Sequence, residues 1–264
     1  MANGFVDIHC HLVPGIDDGA SDASESLAMA LLAVDEGIET VVVTPHQLGS
    51  FAKNTGDEIR VRVVELQELL DANGVPLKVL PGADVRIDAG MVKQIADGQV
   101  LSLGDHRKHV LLELPHELYL PLEPVLDELA ARGMVGVLSH PERNLGILNQ
   151  PGLVRPLVEA GCLMQVTAGS LTGGFGPASQ ALAEDMCRRG LVHFLATDAH
   201  GPKSRRPKIR QAYERACELA GVAAADLWCR EYPRRVASGG DVPAGIVPVA
   251  PARRSGWSLW KRAG

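Results

Sequence analysis

Seven short runs of mostly apolar, often β-branched residues recur along the chain, and stretches with helical periodicity separate them. The runs are FVDIH, TVVVTPH, LKVLPGADV, HVLLELP, MVGVLSHP, CLMQVTAGS and VHFLATDAH. Residues 22–36 open with a capping-box pattern at Asp22 and Glu25, and residues 57–72 keep apolar side chains three or four positions apart. Apolar strands that alternate with amphipathic helices predict parallel strands covered by helices, as a barrel or an open doubly wound sheet.

Polar residues gather where these predicted strands end. They are His9 and His11, His46, Asp84, Glu113, His140, Thr167 to Ser170, Asp198 and His200. In a parallel β/α barrel the C-terminal strand ends face a common mouth, so these distant residues are expected to converge there. Imidazoles and carboxylates without thiolates suit zinc, manganese or iron, and the pattern therefore predicts a metal site. For Glu113 a buried salt bridge is the alternative.

The first strand carries its two histidines on one face. His9 and His11 stand two positions apart, so both side chains point to the same side and can bind one ion. Asp17 and Asp18 follow at once, and residues 196–200, ATDAH, repeat the two-residue spacing. One such pair alone is also typical of surface or core histidines, and its repetition favours the metal site. The remaining histidines are interpreted as surface or packing residues: His106, His109, His116 and His193.

The charge and the cysteines exclude several classes of protein. The 264 residues carry a formal net charge of −6, which argues against electrostatic binding of nucleic acid. No apolar run approaches the length that spans a bilayer, and no leader pattern precedes residue 5, so we expect a cytoplasmic protein without stable membrane insertion. The five cysteines are scattered without CxxC spacing, which suits reduced thiols.

The composition changes near the C-terminal end. Residues 1–235 are predicted to form one folded domain. Residues 236–264 are rich in Pro, Gly and Ala and lack periodicity, so we predict a flexible tail. No function is assigned to its basic, tryptophan-containing end RRSGWSLWKR.

The motifs HCHLVPGIDDG, TPH, LSHPERN, TAGSLTG and ATDAH, in this order, resemble the polymerase and histidinol phosphatase (PHP) superfamily. From about residue 5 to about residue 235, the chain is most similar to the bacterial manganese-dependent tyrosine-protein phosphatases of capsule and exopolysaccharide operons, the CpsB/YwqE family. The resemblance implies an α/β fold, a distorted (β/α)7 PHP-type barrel. It also implies a centre of three divalent metal ions, most commonly Mn²⁺, with iron or zinc as alternatives.

The resemblance also implies roles for individual residues. His9, His11 and Asp198 would bind a first ion, Glu113 and His140 a second, and Asp18, His46 and His200 a third. Asp84 would bridge the first two ions, although the family usually has Glu there. The shorter side chain implies either that the ions lie closer to that strand or that the bridge is weaker. Arg143, with Arg205 or Arg206, resembles the phosphate-holding arginines of the family.

The implied reaction is hydrolysis of protein phosphotyrosine by a metal-activated hydroxide, with arginines holding the phosphate. The implied substrate is a bacterial tyrosine kinase of exopolysaccharide biosynthesis. One alternative keeps the fold and changes the substrate to histidinol phosphate, another small phosphomonoester or a nucleic-acid 3′ end. Another is a non-catalytic kinase-binding regulator, in which Asp84 marks a decayed site.

The sequence also contains one formal C-x5-R match, the pattern of cysteine-based phosphatases, at Cys229 and Arg235. A phosphate-binding loop needs small residues with free backbone amides. The residues between them include Glu231, Tyr232 and Pro233, so we reject this reading.

Overall fold

The apolar runs form nine parallel β-strands in the computed structural model, which describes residues 4–250. They are β1 (Phe5–Cys10), β2 (Ile38–Val43), β3 (His46–Gln47), β4 (Lys78–Leu80), β5 (Asp84–Arg86), β6 (His109–Glu113), β7 (Val135–Ser139), β8 (Leu163–Thr167) and β9 (Phe194–Ala196). The hydrogen-bonded orders are β1-β2-β4 and β3-β5-β6-β7-β8-β9. All pairings in both orders are parallel, as expected for strands joined by helices.

The nine strands correspond to the seven predicted runs, because two runs are each split. Pro45 separates β2 from β3, and Pro81 with Gly82 separates β4 from β5. Proline has no backbone N–H and cannot donate a hydrogen bond to a neighbouring strand. Each run therefore ends one strand before its proline and begins another after it. The split strands stay side by side, since the Asp84 amide donates to the Pro45 carbonyl at 3.2 Å.

The last strand returns to the first. An isolated parallel bridge joins Cys10 to Ala199, and the His11 amide donates to the Ala199 carbonyl at 2.9 Å. The Asp198 amide in turn donates to the His9 carbonyl at 2.7 Å. The seven strand regions are therefore arranged in the order of a distorted β/α barrel, which confirms the predicted fold class.

Helices connect the strands. They are α1 (Ala23–Asp35), α2 (Gly56–Ala72), α3 (Met91–Ala96), α4 (Glu123–Ala130), α5 (Leu145–Asn149), α6 (Val154–Glu159), α7 (Ala168–Leu171), α8 (Gly176–Arg188), α9 (Arg210–Ala220), α10 (Val222–Asp226) and α11 (Tyr232–Ala237). Short 3-10 turns span Leu103–Asp105, Pro141–Arg143 and Pro151–Leu153, and a π-helix spans Leu227–Glu231. Within the described residues, no helix combines the length and the apolar character that crossing a membrane requires.

The two long predicted helices have the predicted starts and buried faces. The Asp22 carboxylate accepts hydrogen bonds from the amides of Ser24 and Glu25, both at 2.9 Å, and so begins α1. The apolar positions of α2 are buried against the sheet, which confirms their periodicity: Ile59, Val63, Leu66 and Leu70. Burying these faces is the main source of helix stability in such a fold.

Residues 238–250, which follow α11, lie against the domain. The Val247 amide donates to the Gly190 carbonyl at 2.8 Å, and Val242 and Val247 are buried. The other part of the predicted tail, residues 251–264, lies outside the described residues. The domain boundary after residue 235 stays a prediction.

Candidate metal centre

All nine predicted metal ligands lie together at the ends of the strands. They form four overlapping groups, in each of which one donor atom per residue lies within 4.8 Å of the others. The groups are His11, Asp18, His46 and His200; His9, His11 and Asp84; His9, His140 and Asp198; and His46, Asp84 and Glu113. Because His9, His11, His46 and Asp84 each belong to two groups, the nine side chains form one continuous centre.

The grouping differs at His140 and at His46 from the division that the resemblance implies. The resemblance pairs His140 with Glu113 on one ion, whereas the structure groups His140 with His9 and Asp198. His46 likewise lies beside Asp84 and Glu113 as well as beside the proposed third ion. The division of the donors among individual ions stays a prediction.

Donor atoms converge closely around His9 and Asp18. The Nε2 atom of His9 lies 3.3 Å from His11 Nε2, 3.3 Å from Asp198 Oδ1 and 3.5 Å from Asp84 Oδ2. Asp18 Oδ1 lies 3.4 Å from His46 Nε2 and 3.5 Å from His200 Nε2. Imidazole nitrogens and carboxylate oxygens at these separations can share cations between them.

Two hydrogen bonds fix which ring nitrogen of each strand histidine faces the centre. His9 Nδ1–H donates to Gln165 Oε1 at 2.7 Å, and His11 Nδ1–H donates to Asp17 Oδ2 at 2.7 Å. Both Nε2 atoms then face the centre and can bind a metal once they are deprotonated, as is usual for metal-binding histidines. Gln165 was not among the predicted site residues, although a polar residue inside the apolar run CLMQVT is the signal that could have found it.

Asp84 provides a direct test of whether these residues fit a metal. Its carboxylate is fully buried, and neither oxygen accepts a hydrogen bond from the described residues. Burial raises the pKa of Asp84, but the nearby histidines, His9 above all, together outweigh it and hold the pKa below its usual value, so the group is ionised. An ionised, buried carboxylate without hydrogen bonds is costly unless a cation binds it. The donor set therefore fits divalent cations.

The pKa values around the centre are pushed apart. Burial and then the negative charge of Asp84 raise the pKa of Glu113 to about 7. Burial and then the positive charge of Arg143 lower the pKa of His140 to about 3, so its imidazole is neutral and carries a free lone pair at pH 7. Such opposed shifts in one cluster are typical of functional sites, and a cation beside Glu113 would favour its ionised form.

A cavity of about 200 Å³ opens over the centre, and Arg143 and Arg205 line it together with six of the nine donors. Both arginines donate to Asp198 Oδ2, Arg205 through Nη2 at 2.6 Å. Arg206, the other member of the predicted pair, is exposed and is not among the residues that line the cavity. The structure thus brings Arg205 to the centre and leaves Arg206 at the surface.

Three residues of this cavity have left-handed backbone conformations although none is glycine. The φ angles are 33° at His140, 49° at Asp198 and 47° at Arg205. Such conformations are unfavourable for ordinary residues, and they cluster at functional sites, where the surrounding structure holds them. At Arg205 the turn is closed by the His200 amide, which donates to the Arg205 carbonyl at 2.9 Å.

The ring of Phe175 packs beneath both cavity arginines. Its centroid lies 4.1 Å from the guanidinium carbon of Arg143 and 5.9 Å from that of Arg205. A Cβ atom on Gly169 would lie 2.9 Å from Phe175 Cε2, so the ring rests directly on the glycine backbone. These cation–π contacts hold the two guanidinium groups in place, and no motif in the sequence predicted this role for Phe175.

Two other sequence interpretations change. His116, interpreted as an ordinary histidine, is exposed and lines the cavity. Thr167 to Ser170, placed among the strand-end residues, do not line it. Instead the Thr167 amide and the Ser170 hydroxyl donate to Glu142 Oε1 at 3.0 and 2.6 Å, which holds the segment that carries Arg143.

The thiol alternative has no support in the geometry. Cys229 is fully buried, and burial raises its pKa well above the usual value, which keeps it a neutral thiol. Arg235 pairs with Glu231 rather than with the cysteine. The five cysteines are free, and four of them are buried.

Comparison with known proteins identifies the family. The model of the family Capsular polysaccharide synthesis, CpsB/CapC, matches residues 5–236. Tyrosine-protein phosphatase YwqE of Bacillus subtilis is 39% identical over 210 residues, which cover 79% of this chain and 82% of YwqE. Tyrosine-protein phosphatase CpsB of Streptococcus pneumoniae is 25% identical over 237 residues, 88% of this chain and 98% of CpsB.

A solved structure gives the same result. It is one of the crystal structures of YwqE from Bacillus subtilis and CpsB from Streptococcus pneumoniae, which are described as unique metal-dependent tyrosine phosphatases. It matches with a TM-score of 0.87 and 34% identity, and the match covers 94% of this chain and 100% of the other. The chain belongs to the CpsB/CapC family of capsular polysaccharide synthesis.

Proposed function

We propose that this protein is a metal-dependent protein-tyrosine phosphatase. The observation that carries the proposal is the convergence of nine imidazole and carboxylate donors beneath a cavity that also presents two arginines. The named activity of YwqE and CpsB supports it. We further propose that the nine donors bind three divalent ions and that Mn²⁺ is the physiological metal, with iron or zinc as alternatives for the same donor types.

The arginines would bind the phosphate. The planar forks of Arg143 and Arg205 can each donate two hydrogen bonds to non-bridging oxygens, and Phe175 keeps both forks in the cavity. Divalent ions bound to the nine donors would supply a water of lowered pKa and would offset the phosphate charge. A phenolic leaving group, with a pKa near 10, needs less help from a general acid than the alkoxide of serine.

The proposal extends to the partner and the compartment. The family description links the chain to capsular polysaccharide synthesis. We propose that the substrate is a phosphorylated tyrosine kinase of that system and that the reaction takes place in the cytoplasm.

Turnover of three substrates tests the function. Protein purified without chelator is given Mn²⁺ and then a phosphotyrosine peptide, the matched phosphoserine peptide or histidinol phosphate. We expect the phosphotyrosine peptide to have the highest kcat/KM. A preference for histidinol phosphate would overturn the substrate and leave the fold untouched.

Chelation and thiol alkylation separate the mechanisms. A chelator should abolish activity and added Mn²⁺ should restore it, whereas alkylation should leave activity unchanged because Cys229 is buried. Activity that survives chelation but not alkylation would point to cysteine chemistry. Metal analysis that finds no bound ion would favour the non-catalytic regulator.

A further inference from the structure

A second cavity of about 270 Å³ lies beside the first and shares two of its walls, His46 and Glu113. Its other walls come from residues 47–51 and from Arg86 at the end of β5. Building on the phosphatase function proposed above, we propose that this cavity is a substrate subsite. It would bind the carboxylate of an acidic residue next to the phosphotyrosine, with Arg86 as the specificity-determining residue.

Arg86 has donors available for a ligand. Its side chain is 36% exposed, and its Nη1 atom lies 3.7 Å from Glu113 Oε2 and donates to the Leu114 carbonyl at 3.3 Å. Both contacts are long, and Nη1 makes both of them. Among the described residues, Nε and Nη2 are thus left to form a charge-assisted hydrogen-bond pair with a carboxylate.

The neighbouring loop holds Arg86 and Phe51 at the cavity. The Phe51 amide donates to the Leu48 carbonyl at 2.9 Å, and the Phe51 ring stacks on His46 with centroids 5.2 Å apart. Gly49 has a φ of 53°, and a Cβ there would lie 3.1 Å from Arg86 Cγ. The loop backbone therefore packs on the aliphatic stem of Arg86 and directs its guanidinium group toward the cavity.

The shared walls explain why the ligand would be part of a polypeptide. A phosphate held by Arg143 and Arg205 would occupy the first cavity, and a neighbouring residue of the same polypeptide would extend from it into the second. Phe51 offers an apolar face to a methylene stem, and Arg86 offers a positive charge to its end. Glu113 opposes an anion on this wall, but a metal bound to Glu113 would offset its charge. A small phosphomonoester would leave the second cavity empty.

Peptide binding and turnover test the subsite. Two peptides differ only in Glu or Lys on both sides of the tyrosine, and each is made with phosphotyrosine and with a non-hydrolysable phosphonate analogue. Fluorescence anisotropy gives the Kd of each analogue for wild type, Arg86→Gln and Arg86→Glu. The kcat/KM values are measured with the hydrolysable peptides and with p-nitrophenyl phosphate. Arg62→Glu makes the same charge change on the surface of α2, away from the cavity, and serves as the matched control.

We expect wild type to bind the Glu peptide about threefold to tenfold more tightly than the Lys peptide. Arg86→Gln should remove this preference, Arg86→Glu should reverse it, and Arg62→Glu should keep it. Arg62→Glu should leave turnover of p-nitrophenyl phosphate within about twofold of wild type, and in both Arg86 variants this turnover should fall less than turnover of the Glu peptide, because p-nitrophenyl phosphate does not extend to Arg86.

Three results would contradict the subsite, and they differ in what they imply for the phosphatase function. If wild type hydrolyses both peptides equally and Arg86→Glu changes no Kd, the subsite is overturned and the phosphatase function stands. If the Arg86 variants lose p-nitrophenyl phosphate turnover to the same extent as peptide turnover, Arg86 acts through Glu113, and the subsite is again overturned. If wild type with Mn²⁺ hydrolyses no phosphotyrosine peptide, both proposals fail.

Discussion

The amide of Gln165 decides which nitrogen of His9 can bind a metal. It accepts the Nδ1 proton of His9, although 156 positions separate the two residues in the chain. Such a contact between strands that are distant in the sequence cannot be predicted from spacing, whereas the donors themselves can, because they follow the ends of parallel strands. The sequence thus predicted which residues converge but not what orients them.

Replacing Gln165 with Leu should weaken metal binding about 10- to 100-fold, because His9 loses the partner that fixes its tautomer and ring orientation. Titration of Mn²⁺ into chelator-treated protein, followed by calorimetry, measures the change. Gln150→Ala, at an exposed position, is the control and should bind Mn²⁺ as wild type does. Equal affinity in Gln165→Leu and wild type would contradict the orienting role.

Phe175 should matter for phosphate binding rather than for metal binding. Phe175→Leu removes the cation–π contacts to both arginines, and we expect KM for a phosphotyrosine peptide to rise about threefold to tenfold. Phe175→Tyr keeps an aromatic ring and should restore most of the affinity. The Mn²⁺ content of both variants should equal that of wild type. An unchanged KM in Phe175→Leu would show that the arginines do not depend on the ring.

Arg205 and Arg206 illustrate a limit of sequence reasoning at single positions. They are adjacent, chemically identical and equally compatible with the family motif. Arg205 has a left-handed backbone, with φ of 47°, and its side chain reaches Asp198, whereas Arg206 is exposed. A backbone angle of this kind leaves no mark in a motif when the residue is not glycine.

Among the secondary-structure elements, the strands and the long helices were predicted from the sequence, whereas the breaks within strands and the short helices were not. The runs that became β2 with β3, and β4 with β5, each contain a proline that breaks the ladder. The TAGSLTG segment follows β8, and its residues Ala168–Leu171 form the short helix α7, which the strand pattern did not predict. Short elements of this kind depend on tertiary contacts, here the bonds from Thr167 and Ser170 to Glu142, more than on local propensity.

The connection into β9 should make stability depend on pH. His193 is buried, its Nδ1 accepts from the Met164 amide at 3.1 Å, and its Nε2–H donates to the Gly245 carbonyl at 2.9 Å. Burial lowers its pKa from 6.5 to about 4. The folded state therefore favours neutral His193. Its contribution to stability is complete above pH 6.5 and is lost as the pH falls toward 4.

Urea unfolding at pH 7.5 and pH 5 measures this effect. Between these values His193 should account for a loss of about 2 kcal/mol in the free energy of unfolding. His193→Gln should lose correspondingly less on acidification, whereas His106→Gln, which changes an exposed histidine, should follow wild type. The same pH dependence in His193→Gln and wild type would contradict the assignment.

For the whole molecule, the metal centre should also be a source of stability. Five histidines and four carboxylates meet there, and ions that bind only the folded state stabilise it. Raising Mn²⁺ to about 100 times its Kd should add about 2.7 kcal/mol. For a chain of this size that corresponds to an increase of about 5–10 °C in Tm.

Differential scanning calorimetry of chelator-treated protein with and without Mn²⁺ tests this. Asp84→Asn should show a smaller increase than wild type, because an amide is a weaker ligand than the carboxylate it replaces. A Tm that does not respond to Mn²⁺ in wild type would contradict a centre that spans the barrel.

The pairing of Cys10 with Ala199 has a consequence for how the protein is made. His9, His11 and Asp18 leave the ribosome among the first residues, whereas Asp198 and His200, which share groups with them, emerge only after most of the chain. Two of the four donor groups, those that contain Asp198 and His200, are therefore incomplete until late in synthesis, when the segment after β9 can pair with β1. We therefore expect a chain truncated before residue 198 to bind fewer Mn²⁺ ions than the full chain.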